Sequence, residues 1–309
     1  MKNAVTAFGI TKSFDSTQAL YPTDFAVEKG EIFGFIGADG AGKTTLFKIL
    51  ATLLRMDAGK ATICDLDVER DFLKIRRIIG YMAGRFSLYG DLSVEENLKF
   101  FARVFDSTLE ENFALIKDIY VLLEPFKKRK AADLSGGMKQ KLALCCALIH
   151  KPQVLFLDEP TTGVDPVSRK EFWENLKHVA NEGITTVVST PYMDEAMQCD
   201  RVALIQDGKI LQINKPQQII ADFPLALISL QTTANRNQLI RLLRQYPAAQ
   251  SVFSFGEAIH VTCDFAAKEN LINSIKQISG FDITIMEKAE AGIEDCFLYY
   301  MQRAYGSNN

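Results

Sequence analysis

Gly37-Ala38-Asp39-Gly40-Ala41-Gly42-Lys43-Thr44-Thr45 is the stretch that decides the fold of this 309-residue chain. It has the pattern GxxxxGK[ST], with an apolar run at residues 32–36 before it and a helix-forming run at residues 46–50 after it. Strand, loop and helix in this order are the setting that a phosphate-binding loop requires. In such a loop, successive backbone N–H groups surround a phosphate, Lys43 reaches the outer phosphates and the Thr44 hydroxyl binds Mg²⁺. The stretch therefore predicts phosphate binding on an α/β core.

A second segment with the same chemistry is LSGGMKQ, at residues 134–140. Two glycines after Ser135 open a long helical run that extends to His150. The N-terminus of a helix offers backbone N–H groups and the positive end of its dipole to an anion, and glycine lets the chain approach closely. Taken alone, the segment is equally well explained as a Ser N-cap followed by flexible glycines. Its neighbours in the chain favour the phosphate interpretation.

The third segment is the apolar run at residues 154–157 with Asp158 and Glu159 directly after it. Four apolar residues in a row are typical of a strand buried on both faces of a parallel sheet. Ligands bind α/β sheets at the carboxyl ends of such strands. We expect Asp158 to hold Mg²⁺ through water and Glu159 to polarise an attacking water. An acidic turn after a strand is usually an ordinary loop, but this one follows both phosphate-directed segments.

With these three segments, residues 4–220 resemble the nucleotide-binding subunit of an ATP-binding cassette (ABC) transporter. In that family the loop is the Walker A motif, LSGGMKQ is the signature and VLFLDEP is the Walker B strand, while residues 161–166 are similar to the D-loop. The resemblance implies an α/β fold with a P-loop NTPase core, in which a mixed sheet has helices on both faces, and a helical insert at about residues 86–133. It also implies ATP and Mg²⁺ as cofactors, ATP hydrolysis, and a head-to-tail pair of subunits.

The resemblance assigns roles to individual residues. The catalytic residue is Glu159, and the metal-binding residues are Thr44 and Asp158. Phe14 falls where the family stacks an aromatic ring on adenine, although packing in the core is the alternative for this side chain. The residues assigned to nucleotide binding are Phe14, Gly37, Gly40, Gly42, Lys43, Thr44, Thr45, Ser135, Gly136, Gly137 and Asp165.

Two positions depart from the family pattern. The family has Gln after the strand at residues 79–82, where it contacts Mg²⁺, and this chain has Gly84. The family has His after the strand at residues 185–190, where it bonds the γ-phosphate, and this chain has Pro191, which lacks even a backbone N–H. Loss of one preorganised donor at a transition state costs about 10²–10³ in rate. The departures predict a site that binds MgATP but hydrolyses it slowly, with an intact signature that can complete the site of a partner.

Composition limits the class of protein. A net charge of −3 and a pI near 5.8 provide no basic surface for nucleic acid, so we expect no nucleic-acid partner. No apolar run approaches the length of a membrane span, and the residues after Met1 do not begin a signal peptide. Six cysteines without CxxC spacing suit buried thiols in a reducing cytosol. We expect a peripheral protein at the cytoplasmic face of the cell membrane, attached through integral membrane permease subunits.

The helical insert carries a Ser93–Glu96 capping box ahead of an apolar helix. In the family this insert receives the coupling helix of the membrane subunit, which makes Phe86 and Tyr89 candidate contact residues. Packing within the insert is the alternative for both. All three histidines are expected to be structural or surface residues: His150, His178 and His260.

The pattern changes at about residue 220. Residues 221–309 show the order β-α-β-β-α-β, which is compatible with a ferredoxin-like α+β unit. The closing segment at residues 292–298 resembles the ending of drug- and polysaccharide-type ABC exporters. No catalytic constellation is found there, so we expect an accessory or dimer-stabilising module.

These observations favour the ATP-driven subunit of a multidrug efflux exporter of the ABC-2 type, working with separate permeases and with a second nucleotide-binding subunit, in a homodimer or a heterodimer. One alternative is an ABC protein that acts on ribosomes or DNA. Two fused cassettes, a long coiled coil or a basic face would indicate it, and the sequence has none of them. The other alternative is a regulatory pseudo-ATPase, which Gly84 and Pro191 keep open.

Overall fold

The computed structural model describes residues 3–84, 87–286 and 289–306, so Phe86 lies outside the described part. The chain divides into two compact units. The first contains the described residues up to Pro216 and those from Tyr300 onward, and the second is Gln217–Tyr299. The division thus falls at 216/217, close to the expected 220/221, but the end of the chain groups with the first unit. There, the Tyr305 hydroxyl donates to the Gln206 carbonyl at 2.9 Å.

The first unit contains the predicted strand, loop and helix at residues 32–50. In chain order, its helices and strands are β1 (Asn3–Phe14), β2 (Thr17–Glu28), β3 (Ile32–Ile36), α1 (Lys43–Leu50), β4 (Ala58–Ile63), β5 (Leu66–Asp67), α2 (Phe72–Ile78), β6 (Ile79–Met82), α3 (Val94–Val104), α4 (Phe113–Tyr120), α5 (Gly136–Leu148), β7 (Val154–Asp158), α6 (Pro166–Asn181), β8 (Thr185–Thr190), β9 (Arg201–Gln206) and β10 (Lys209–Asn214). Short 3₁₀ helices lie at Glu124–Phe126, Ala131–Asp133 and Met193–Gln198.

Two sheets build this unit. The larger has the order β10-β9-β3-β8-β7-β6, and its neighbours are parallel except for the antiparallel pair β9–β10. The smaller is antiparallel, with the order β2-β1-β4-β5. Strands β3 and β7 are buried at every residue, as expected for strands covered on both faces. Because β3, β7 and β8 are adjacent and parallel, the segments that follow them meet at one edge.

A cluster of phenylalanine rings packs the two sheets against α1. Ring centroids of neighbouring members lie 5.0–6.3 Å apart, mostly in the edge-to-face or tilted arrangements that aromatic pairs prefer. Its members are Phe25, Phe33, Phe35, Phe47 and Phe156. Burial of large rings beneath the loop fixes the start of α1 relative to β3 and β7.

The helical insert contains α3, α4 and short turns. Ser93 caps α3, and the predicted capping box is confirmed, because the Ser93 hydroxyl accepts from the Glu96 N–H and the Glu96 carboxylate accepts from the Ser93 N–H. Tyr89 packs edge-on against Phe100, with ring centroids 4.7 Å apart, yet remains 50% exposed. Tyr89 therefore packs within the insert and still presents half of its surface.

Among its described residues, the second unit contains a four-stranded sheet with the helices α8 and α9, and parts of α7 and α10 at its two ends. After α7 (Pro216–Ala221), which crosses the boundary, come β11 (Ala226–Thr232), α8 (Arg236–Leu243), β12 (Ser251–Phe255), β13 (Ala258–Cys263), α9 (Lys268–Lys276), β14 (Ile283–Met286) and α10 (Ile293–Tyr305). The antiparallel sheet order β12-β13-β11-β14 confirms the predicted β-α-β-β-α-β arrangement. The buried carboxylate of Asp295 lies 2.8 Å from His260 Nδ1, which attaches the start of α10 to β13.

Two further findings concern the described residues. None of the six cysteines, all of which lie in this part of the chain, is in a disulfide. No helix among the described elements combines the length and the apolar character needed to cross a bilayer.

Candidate nucleotide-binding site

The glycines of the loop between β3 and α1 are required by space and by backbone geometry. Gly40 and Gly42 have φ values of 80° and 97°, in the left-handed region that favours glycine. A Cβ on Gly42 would lie 2.6 Å from the Ala19 carbonyl oxygen, and one on Gly37 would lie 2.0 Å from the Ile205 carbonyl oxygen. The loop can therefore keep this path only with glycine at these positions.

Lys43 is the first residue of α1, and its side chain is almost fully buried. Its Nζ donates to the carbonyl oxygens of Gly37 at 2.8 Å and Ala38 at 2.9 Å, and lies 3.3 Å from Glu159 Oε1. The ammonium group is thus held by the loop that it closes and faces the carboxylate at the end of β7. Thr45 follows on the same first turn of α1, with its side chain half-buried.

Thr44 and Asp158 bring two oxygen ligands together. Thr44 Oγ1 donates to Asp158 Oδ1 at 3.2 Å, and Ser189 Oγ donates to the same oxygen at 2.6 Å. The residue Asp158 is 1% exposed, whereas Thr44 is exposed at the mouth of the loop. A carboxylate and a hydroxyl fit Mg²⁺, which binds proteins through one or two such groups and takes its other ligands from phosphates and water.

Glu159 follows β7 in a strained conformation. Its φ of 50° is in the left-handed region, which costs a non-glycine residue about 1–3 kcal/mol and is found mainly at functional sites. Its backbone N–H donates to both the carbonyl oxygen and the hydroxyl of Ser189, each at 3.0 Å, which holds the turn in place. The Glu159 side chain is 23% exposed. The strained turn therefore presents this carboxylate beside Lys43, with access to solvent.

Gly84 and Pro191 lie at the same edge. A Cβ on Gly84 would lie 3.1 Å from the Asp158 carbonyl oxygen and 3.7 Å from Glu159 Cβ. Pro191 directly follows Thr190, whose carbonyl oxygen accepts from the Gly37 N–H at 3.2 Å. Gly84 and Pro191 thus border the carboxylates and the loop respectively.

The signature forms the start of α5. Ser135 caps this helix by accepting from the Met138 N–H at 3.4 Å, and both Ser135 and Gly136 are exposed. A Cβ on Gly137 would lie 2.7 Å from Ser168 Oγ, so glycine lets α5 pack closely on α6. In the described chain the side chain of Ser135 bonds only within its own helix, so the structure does not bring it to the loop around Lys43.

Asp165 caps α6 at the neighbouring segment. Its carboxylate accepts from the N–H groups of Ser168 at 3.0 Å and Val167 at 3.1 Å. These bonds, led by the Ser168 N–H, hold the pKa of Asp165 below its usual value. Asp165 is exposed at the start of α6, the helix that packs on α5 where Gly137 meets Ser168.

Phe14 ends β1 with 46% of its surface exposed. Lys12 Nζ lies 5.5 Å from the centroid of its ring, so the ring combines an open surface with a cation at its side. Phe14 is therefore outside the buried core, and the core-packing alternative for it is wrong.

Sequence reasoning missed two residues at this edge. Ser189 bonds both Asp158 and Glu159, although 31 residues separate it from Asp158. Burial and the charge of Asp158 raise the pKa of Tyr81, on the neighbouring strand β6, to about 12. A hydroxyl at the end of an apolar strand was the only sequence signal for Ser189.

An apolar groove of about 380 Å³ lies between β6 and the helical insert. Leu53 and Val104 contribute exposed side chains to its lining. His150 also lines it, stacked on Phe105 with ring centroids 3.7 Å apart and Nε2 2.9 Å from the Ile79 carbonyl oxygen. Burial lowers the pKa of His150. The groove is lined mainly by apolar side chains, together with Arg76, Ser87 and His150.

Comparison with known proteins agrees with this geometry. Residues 20–162 match the family model described as ABC transporter. The chain belongs to the ABC transporter family.

Three relatives illustrate the likeness. The "Probable multidrug ABC transporter ATP-binding protein YbhF" of Escherichia coli is 40% identical over 223 residues, which cover 71% of this chain and 38% of that protein. The Nod factor export ATP-binding protein I of Rhizobium sp. is 32% identical over 300 residues, 96% of each chain. A dimeric ATP-binding cassette solved in a post-hydrolysis state with ADP and Pi has a TM-score of 0.62 and 25% identity, over 68% of this chain and 98% of that one.

Proposed function

We propose that this chain binds MgATP and hydrolyses it to drive export through separate membrane permease subunits. The observation that carries the proposal is the buried Lys43 ammonium, held between the loop carbonyls and Glu159 beside the Thr44–Asp158 pair. The names of the relatives, which refer to multidrug transport and Nod factor export, support an exported substrate.

Each group has a chemical task in this proposal. The backbone N–H groups of the loop bind the phosphates, and Lys43 exchanges its carbonyl partners for phosphate oxygens. Mg²⁺ supplies charge neutralisation at the phosphates, and Thr44 and Asp158 are the residues that would hold it. Glu159 orients the attacking water and accepts its proton, since its carboxylate is solvent-accessible and lies next to Lys43. Phe14 offers an open ring for the adenine base.

A second nucleotide-binding subunit would complete the site. Ser135 and Gly136 are exposed at the N-terminus of α5, where free N–H groups and the helix dipole suit a phosphate. Ser135 is not joined to the loop of its own chain, so we assign it to the nucleotide of the partner, with Asp165 beside it at the interface. A homodimer and a heterodimer are both compatible with this arrangement.

ATP hydrolysis at the site formed by this chain's own loop and carboxylates would be slow. Gly84 and Pro191 border the carboxylates and the loop but supply no side-chain donor there. The same observation favours the second candidate function, a regulatory pseudo-ATPase that binds ATP without efficient hydrolysis.

The groove beside the helical insert is the surface that we assign to a permease of the ABC-2 type. Its mainly apolar lining, to which Leu53 and Val104 contribute exposed side chains, suits an apolar helix of a membrane protein. This contact would hold the chain at the cytoplasmic face of the membrane.

Calorimetry with MgATP tests the central proposal. We expect a micromolar Kd, about −8 kcal/mol, for the wild type, and loss of most of this affinity for Lys43→Ala. Lys48→Ala is the matched control, because Lys48 is exposed on the same helix and should leave binding unchanged. Thermal melts of each variant show whether the loop remains folded. Equal affinities for wild type and Lys43→Ala would refute the assignment of the loop.

A further inference from the structure

Arg169 lies one helical turn after Asp165 on α6, and its backbone N–H donates to the Asp165 carbonyl at 2.9 Å. Its guanidinium carbon lies 4.9 Å from the centroid of the Tyr192 ring, and Nη2 donates to Asp194 Oδ2 at 3.1 Å. Its Nε is 3.8 Å from Glu195 Oε1. One side chain on the helix capped by Asp165 therefore touches three residues of the segment that follows Pro191.

Glu195 is the buried member of this group. Its side chain is 3% exposed, and its Oε2 accepts from Thr190 Oγ1 at 2.6 Å. Among the described residues, Oε1 has no hydrogen-bond partner, and Arg169 is the sole ion-pair partner of Glu195. Removal of the cation that pairs with a buried carboxylate strongly destabilises the folded protein, because the remaining charge is buried without compensation. The position of Arg169 and that of Glu195 therefore depend on each other.

Thr190 connects this pair to the phosphate loop. Its carbonyl oxygen accepts from the Gly37 N–H at 3.2 Å, while its hydroxyl also accepts from the Tyr192 N–H at 3.1 Å. Contacts thus run without interruption from Gly37 through Thr190, Glu195 and Arg169 to Asp165. This path joins the loop that would bind ATP to the cap of α6 beside the signature.

We propose that Arg169 is a positioning residue that couples occupation of the phosphate loop to the D-loop of this chain. The inference rests on the proposed function, because it assigns a regulatory path to that same site. Pro191 offers neither a backbone N–H nor a side-chain donor directly after β8. The ion pair between Arg169 and Glu195 connects Thr190 to α6, so a shift of Thr190 moves this helix. The test of this coupling measures the response of α6 when the phosphate loop is occupied.

Trp173 supplies that measurement. It is the single tryptophan of the chain, one turn after Arg169 on α6, and is 4% exposed. Together with Arg169 and Glu195 it lines a polar cavity of about 350 Å³. Its indole Nε1 has no hydrogen-bond partner within the described residues. Its emission should therefore change when Arg169 and Glu195 move.

The experiment uses the full chain, with MgATP binding measured by calorimetry and Trp173 emission measured in the same titration. In the wild type we expect the emission to change with the same Kd as the heat. In Arg169→Ala we expect MgATP still to bind while the emission change is lost. Arg169→Lys should recover part of it, because it keeps the charge without the planar guanidinium. His178→Ala is the control, because His178 is exposed on α6 and lies outside the lining of this cavity, and it should keep the full change.

A second variant, Glu195→Gln, separates loss of coupling from misfolding. Arg169→Ala leaves Glu195 buried without a cation, whereas Glu195→Gln can keep the bond to Thr190 and removes the charge. Glu195→Gln should also lose the emission change while MgATP still binds.

Three results would overturn parts of the argument in distinguishable ways. Binding of MgATP by the wild type without an emission change would refute the coupling and leave the proposed function standing. A full emission change in folded Arg169→Ala, or in Glu195→Gln, would do the same. Absence of calorimetric binding in the wild type would instead overturn the proposed function, and this inference with it.

Discussion

The double substitution Gly84→Gln with Pro191→His should raise the ATP turnover of this chain by about tenfold or more. Each substitution supplies a side-chain donor at the edge where Asp158, Glu159 and the phosphate loop meet. Pro191→His also adds a backbone N–H that proline lacks.

The structure sets the size of the effect. One preorganised donor contributes about 10²–10³ in rate, so two ideal donors would give a much larger gain than tenfold. Gly84 does not have a left-handed φ, so Gln can adopt its backbone conformation. A Cβ there would nevertheless lie 3.1 Å from the Asp158 carbonyl oxygen, and the two segments must separate by a few tenths of an ångström. We therefore expect only part of the ideal gain, at least about 1.4 kcal/mol in transition-state stabilisation.

The assay is phosphate release by the purified chain at several MgATP concentrations, which gives kcat and KM. A rise in kcat with an unchanged KM identifies contacts made in the transition state only. Gly84→Ala and Pro191→Ala are the controls, because they introduce the Cβ and the backbone N–H without a side-chain donor. Neither control should match the corresponding donor variant.

Brisk hydrolysis by the wild-type chain, with no gain from the double substitution, would show that the interpretation of Gly84 and Pro191 is wrong. A gain in the alanine controls as large as in the donor variants would show that local backbone changes, and not donors, limit the rate.

Three further predictions follow from the structure. Ser135→Arg should leave MgATP binding by the isolated chain unchanged and abolish turnover when the chain is mixed with a competent partner, as measured by phosphate release; normal turnover would contradict its role at the nucleotide of the partner. Val104→Glu, in the lining of the apolar groove, should weaken co-purification with permeases but keep MgATP affinity. Val121→Glu, exposed elsewhere on the insert, should change neither co-purification nor affinity. Equal loss of co-purification in both variants would contradict the assignment of the groove to the permease. Burial lowers the pKa of His150, so the folded chain binds fewer protons there than the unfolded chain, and stability is lost as pH falls below the ordinary value of 6.5. His150→Gln should reduce the drop in Tm between about pH 7 and pH 5.5, and an unchanged drop would rule out His150 as its source.

Much of the candidate site was predictable because its parts are contiguous in the sequence. The glycines of residues 37–42 fix a path that other residues cannot follow, and a buried strand followed by Asp158 and Glu159 places both carboxylates at a sheet edge. The order of strands and helices in the second unit was likewise predictable, since alternating and helical apolar patterns are local.

Other features depend on segments far apart in the chain. Ser189 bonds Asp158 because β7 and β8 pair in register, and no pattern near either residue specifies that pairing. The return of the residues from Tyr300 to the first unit was not expected, because nothing in a short helical run says what it will pack against.

The sequence by itself determined the chemistry of this protein: the loop around Lys43, the carboxylates after β7 and the glycines that start α5. These are backbone conformations and side chains set by neighbouring residues. Only the tertiary structure decided which groups meet, such as Gly84 against the Asp158 carbonyl, Arg169 against Glu195, and Gly137 against Ser168. The physical reason is that such contacts arise from the packing of whole strands and helices, whose positions depend on burial throughout the unit and not on any local run of residues.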